Sequence, residues 1–201
     1  MYGDVNLLFA CQRRKEYNSS SHRDSVDKAI AMNYLTLARQ LTQNAEMIRS
    51  LVTGLSTEQM RWKPTAKDWS ILEVINHLYD EEREDFRQRV DYVLHRPGEE
   101  PPGIDPEGWV TARGYNLRDP DESVQNFLHE RRQSVGWLEG LEAPRWDSAY
   151  IHPAGFTLCA GDLLSSWLAH DFLHLRQLVE LHYAWVRRQS APYTVDYAGD
   201  W

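Results

Sequence analysis

The sequence predicts an all-α fold: a four-helix bundle with a long crossover between helices two and three. Three observations point there. Apolar residues recur at intervals of three and four in four separate stretches, the pattern of helices that each bury one face. Helix-start signals stand directly before several of those stretches. Residues 96–118, RPGEEPPGIDPEGWVTARGYNLR, are too rich in Pro and Gly for a regular element and too long for a tight turn.

The first helix is predicted from about Lys28 or Met32 to Val52, with Leu35, Leu37, Ala38, Leu41, Ala45, Ile48 and Leu51 at apolar positions and Gly54 as its stop. A connection around Pro64 follows, in which STEQM adds a short helical turn. Ser70 with Glu73 three residues on is a capping box: the hydroxyl takes a free backbone N–H and the carboxylate reaches back. Helix two therefore starts near Ile71, buries Ile71, Ile75, Leu78, Phe86, Val90 and Val93, and ends at Pro97 and Gly98. Asp119 before Pro120 opens helix three, which runs to about Leu141 through Val124, Phe127, Leu128, Val135 and Leu138. Helix four, capped by Thr157 or Asp162, continues to about Trp185, and Asp147 to His152 suit a short extended piece. This gives one bundle domain over 29–186, a loosely ordered polar extension over 1–28, and a tail over 187–201. Met32, where the helical pattern becomes clean, is a candidate natural start.

The 201 residues suit one domain plus tails. A formal charge of −8 disfavours a nucleic-acid backbone as partner, since phosphate binding needs clustered Lys and Arg. No apolar run reaches the length of a membrane span. Cys11 and Cys159 lie far apart and match no metal spacing or disulfide framework, so a cytoplasmic, reducing setting is expected.

The chemistry lies in WLAHDFLHLRQL, residues 167–178. The seam of helix four runs Leu163, Trp167, His170, His174, then Gln177 or Leu178, then Leu181. Both histidines fall on that buried stripe, one turn apart, where two imidazoles can aim at one ion. The plainer reading is a pair of hydrogen-bonded core histidines. His77 in helix two, on a strip with Val74, Glu81 and Asp85, is turned at least partly inward and is the candidate third ligand. Bundle cores bring such residues together from different helices. Three His ligands leave coordination positions open for water or substrate, as in a reactive site. Imidazole suits Zn²⁺, Ni²⁺ or Fe²⁺ alike, so the divalent metal ion stays unidentified.

Two segments, W-S-x-x-E-x-x-x-H-L over Trp69 to Leu78 and H-D-x-x-H-x-x-Q over His170 to Gln177, closely resemble the DinB-like superfamily of metal-dependent enzymes, and the resemblance spans about residues 32–185. It implies a four-helix bundle with a long crossover, metal ligation by His77, His170 and His174, and a homodimer. It implies no polymerase, and the extension at 1–28 lies outside it.

Around the site, Glu81 is a candidate catalytic residue, as general base or fourth ligand; its plainer reading is a solvated acid in the run DEERED. Gln177 is the other catalytic candidate, donating to substrate or water, or else a buried amide tying helices together. Asp171 is expected to contact a neighbouring helix or orient a ligand ring. Arg113, Tyr115 and Asn116 suit either a gate or loop packing. Trp167 belongs to the core, and Trp62 and Trp69 should cover the end of the bundle. His22, His95, His129, His152 and His182 receive no role. The expected function is metal-dependent chemistry on a small molecule, either thiol transfer with a low-molecular-weight thiol or hydrolysis by a metal-bound hydroxide. A non-catalytic, metal-stabilised dimeric binding or stress-response module is the alternative.

Overall fold

The computed structural model describes residues 33–96, 98–152 and 155–200. The predicted extension over 1–28 and Met32 lie outside them. α1 spans Tyr34–Val52, and the Asn33 side chain accepts its first free amide, from Thr36. It buries Ala38, Leu41, Asn44, Ala45, Ile48 and Val52 at helical spacing. A five-residue helix, α2 (Thr57–Arg61), follows the Ser56 cap.

α3 (Ile71–Glu81) opens on the predicted capping box. Ser70 Oγ accepts from the Glu73 amide at 3.1 Å, and the Glu73 carboxylate accepts from the Ser70 amide at 2.8 Å. The helix passes through a π turn, Glu82–Phe86, into α4 (Arg87–His95). The crossover holds more structure than its composition suggested: α5 (Pro106–Ala112) and a 3-10 turn, Tyr115–Leu117. The Asp105–Pro106 pair that starts α5 is itself a cap followed by Pro at the first helical position.

α6 spans Pro120–Glu139, with the Asp119 carboxylate accepting from the Glu122 amide at 2.9 Å. A small antiparallel hairpin pairs β1 (Ala149–Ile151) with β2 (Thr157–Cys159), Tyr150 opposite Leu158. β1 is the extended piece expected near Asp147 to His152. α7 is a 30-residue helix, Ala160–Gln189, and runs beyond the expected end near Trp185. Its cap is Cys159, not Thr157 or Asp162; Thr157 belongs to β2, and Asp162 accepts from the Cys159 amide at 3.1 Å from inside the first turn.

Helix one of the bundle (α1) packs mainly on α6 and α7, while α3 packs on α6 and α4 on α7. The first two bundle helices therefore sit diagonally opposite each other, as do α6 and α7. The long crossover makes that arrangement possible where short hairpin loops would not. One apolar cluster gathers Ile48, Leu72, Ile75, Leu78, Phe127 and Leu178; a second gathers Leu41, Leu138, Leu164 and Trp167. A fully buried ion cluster links the two. Arg131 donates to Glu82 at 2.8 Å, to both oxygens of Asp171 at 2.7 Å and to the Leu41 carbonyl at 2.9 Å. Trp167 Nε1 donates to the other oxygen of Glu82 at 2.9 Å, and Asn44 donates to Asp171 at 3.1 Å. All four bundle helices thus meet on one guanidinium. Among the described residues, no helix is long and apolar enough to cross a membrane.

Candidate metal centre

The capping box sets the start of α3, and that start sets which residues point inward. α3 is buried almost all round, from Ile71 through Glu81, so His77 faces the interior at 4% exposure. α7 offers His170 and His174 on the facing stripe. His77 Nε2 lies 3.3 Å from His170 Nε2, and His170 Nε2 lies 3.0 Å from His174 Nε2. One ring nitrogen from each of the three falls within 4.8 Å of the others.

These separations fit a shared cation. Ligand nitrogens about 2.0–2.1 Å from a tetrahedral ion stand about 3.3 Å apart, and on one face of an octahedron about 2.9 Å apart. The two pairs that share His170 Nε2, at 3.3 and 3.0 Å, match these spacings. Hydrogen bonding satisfies the same cluster poorly, because one N–H on His170 Nε2 can serve only one of its two neighbours. His174 has its tautomer set: Nδ1 is 2.8 Å from Gln177 Oε1 and donates to it, leaving the Nε2 lone pair facing the other rings. His77 Nδ1 is buried with no hydrogen-bond partner among the described residues.

All three rings are held neutral. Burial lowers the pKa of His77 well below its ordinary value, with the His174 charge second. Burial acts likewise on His170, joined by His174, His77 and Arg131. His174 is also lowered by burial, against the opposing pull of Gln177 and Asp171. Neutral imidazole is the ligating form. Aromatic walls close the cluster: the Trp69 ring lies 4.9 Å from His77 and stacks parallel to His174 at 6.3 Å, and Phe86 lies 5.0 Å from His170. Trp69 thus belongs to the centre, a role its position beside the KPTAKD turn did not disclose.

The reading of DEERED as a solvated run is corrected: Asp80, Glu81, Glu82 and Asp85 are all buried. The π turn inserts an extra residue per turn within this run. Glu82 faces Arg131 and Trp167, while Glu81 and Asp85 remain one turn apart and hydrogen-bonded to each other. Burial, then the Asp85 charge, pushes Glu81 up to about 9, so it carries a proton at neutral pH. Asp171 contacts a neighbouring helix, through Arg131. Of the two readings open for the crossover residues, the contacts are those of structural ties: Arg113 and Tyr115 donate to Asp80 at 2.7 and 2.6 Å, and Asn116 accepts from Ser70 Oγ at 2.8 Å. Trp62 packs on Trp185 at 5.4 Å. His182 donates to the Leu51 carbonyl at 2.7 Å, and His152 stacks on Phe156 at 4.4 Å. Neither belongs to the cluster.

The family model of the DinB superfamily matches residues 40–178, a span that contains all three histidines. The chain belongs to the DinB superfamily. Among solved structures, it is similar to YfiT from Bacillus subtilis, described as a probable metal-dependent hydrolase with an unusual four-helix bundle topology. The TM-score is 0.66 at 16% identity, over 81% of this chain and 91% of that one. At that identity the likeness speaks for the fold alone. No curated protein matches this sequence. For this DinB-superfamily chain, the cluster of His77, His170 and His174 is the group suited to a metal ion among the described residues.

Proposed function

We propose that this protein is a metal-dependent hydrolase of a small molecule, with His77, His170 and His174 as ligands of a divalent ion. The observation that carries the reading is the convergence of three imidazole nitrogens, from buried His77 and His174 and half-buried His170, with His170 Nε2 at 3.0 and 3.3 Å from the other two. The description of YfiT as a probable metal-dependent hydrolase supports it. An ion held by three neutral ligands keeps its full charge, and its chemistry is to acidify a water or thiol so that it attacks at neutral pH.

The chain's own residues do the rest. Gln177 fixes the His174 tautomer through Nδ1. Trp69 and Phe86 exclude bulk water from the rings, which strengthens electrostatic interactions there. Glu81, one turn beyond His77, supplies a buried carboxyl for proton transfer. Among the described residues no side chain at the cluster is a dedicated nucleophile, so the attacking group is water or a cosubstrate thiol. We also propose a homodimer. Phe172, Val179 and Val186 are exposed on α7 at seven-residue intervals, a stripe of the coiled-coil type.

The test uses untagged protein, elemental analysis and a panel of ester, amide and lactone substrates with Zn²⁺, Ni²⁺ or Fe²⁺. One equivalent of metal and metal-dependent turnover, both lost in His170→Ala, are expected. Turnover only when a low-molecular-weight thiol and an electrophile are supplied would replace hydrolysis by thiol transfer. Bound metal without any turnover would make the protein a binding module. Light scattering checks the dimer.

A further inference from the structure

On one face of the α3–α4 helix, His77, Glu81, Asp85 and Arg89 follow one another at four-residue intervals. The ladder grades from interior to surface. Glu81 is 4% exposed, and the side chains of Asp85 and Arg89 are 10% and 20% exposed. Glu81 Oε1 is buried with no hydrogen-bond partner among the described residues, while the carboxyl group is bonded to Asp85. Asp85 in turn accepts from Arg89 Nε, and Arg89 reaches the Pro102 carbonyl at 3.3 Å. Asp80, the other acid facing Glu81, is already taken by Tyr115, Arg113 and Arg83.

We propose that Glu81 and Asp85, closed by Arg89, form a proton relay between the candidate metal centre and solvent. Its direction rests on the hydrolytic reading; its existence does not. Two carboxyl groups this close and this buried share a single proton. In the step, the O–H (or S–H) bond of the attacking water or thiol breaks and its proton goes to Glu81 Oε1. The proton already on the other oxygen of Glu81 passes to Asp85. Glu81 ends as it began, a neutral acid, and Asp85 releases its proton to solvent beside Arg89. One proton leaves the centre, and no carboxylate need ionise deep in the bundle. A merely structural ladder that holds the π turn would make the same contacts but carry no proton.

Infrared spectroscopy of the chelator-treated full chain decides between them. A carboxylic-acid C=O band at neutral pH, lost in Glu81→Gln, assigns the proton. On transfer to D₂O that band shifts as the acid exchanges. In Asp85→Asn the exchange is expected to slow by more than about ten-fold, with native circular dichroism, and Asp85→Glu should restore it. No band lost in Glu81→Gln, or an unchanged exchange rate in Asp85→Asn, overturns the relay. Should Asp85→Asn not fold, the same comparison on Asp85→Ser decides. In the metal-loaded enzyme, Asp85→Asn should lower kcat with KM and metal content unchanged, and added imidazole buffer should restore it. Should no substrate turn over, the hydrolytic reading fails while the exchange rates still judge the relay.

Discussion

Replacing Glu81 by Gln should stabilise the metal-free protein, and increasingly so as pH rises. A free Glu titrates at about 4.5, and burial with the Asp85 charge moves Glu81 up to about 9 in the fold. Between those values the folded state holds a proton that the unfolded chain has released. Stability from this group is therefore greatest below the unfolded pKa and falls as pH rises toward the folded one. At pH 7 the gap is about 2.5 units, or roughly 3 kcal/mol; at pH 5 it is under about 1 kcal/mol, and at pH 8 nearly 5 kcal/mol. Gln keeps the volume and an N–H to donate to Asp85, but does not titrate. Urea unfolding of both chelator-treated proteins at pH 5 and pH 8 gives the test. The advantage of the variant should grow by about 4 kcal/mol between the two, equivalent to about 8–16 °C in Tm. Chelation matters because a nearby dication favours the carboxylate and would shrink the effect. Stability curves that run parallel for wild type and variant across this range would refute the reasoning, since they would mean Glu81 ionises in the fold as freely as in water.

Arg131→Met leaves Glu82 and Asp171 facing each other in the core, and should cost about 3–5 kcal/mol by urea unfolding, a loss of under about 1 kcal/mol being incompatible with the buried cluster. His77→Ala, His170→Ala and His174→Ala should each abolish stoichiometric metal in elemental analysis, whereas His129→Ala, on the surface of α6, should retain it. Gln177→Ala frees the His174 tautomer and should weaken metal binding by about 10–100-fold in competition with a chromophoric chelator; an unchanged Kd would show that the 2.8 Å contact does not orient the ligand.

The helices were legible because their signals are local. The Ser70–Glu73 box, Asp119 before Pro120 and the period of α7 each act within a few residues, and the structure places those elements as expected. The histidine stripe was legible for the same reason: i, i+4 spacing on a buried seam is a property of one helix. His77 was legible as an inward-turned candidate on its own helix, and the family resemblance supported joining it to the pair, but contact between two helices separated by a crossover has no local code. The acid run was misread because burial is a tertiary property. A run of five acids and an Arg looks solvated until a partner such as Arg131, more than 40 residues away, is brought beside it. The π turn that separates Glu82 from Glu81 and Asp85 has no marker in EREDF. Trp69 was legible as an aromatic covering the end of the bundle, but not as a wall of the cluster, since which face of α3 meets α7 is decided by packing.

Two kinds of buried polarity lie back to back in this bundle, and each constrains the other. His170 and Asp171 are adjacent in α7 yet project to opposite sides, the ring toward the histidine cluster and the carboxylate onto Arg131. The guanidinium therefore anchors α7 against α1, α6 and the π turn one residue from a candidate ligand. Its charge also acts through the interior on His170, lowering the ring's pKa after burial, His174 and His77. A cation so placed disfavours a proton on His170 without occupying its nitrogens. The cluster is kept deprotonated and positioned before any metal arrives, so binding need displace no proton from the rings. Rigid placement of α7 and part of the bias toward a neutral His170 thus share one source, the Arg131 guanidinium held among all four helices, while burial of the rings themselves supplies the larger part.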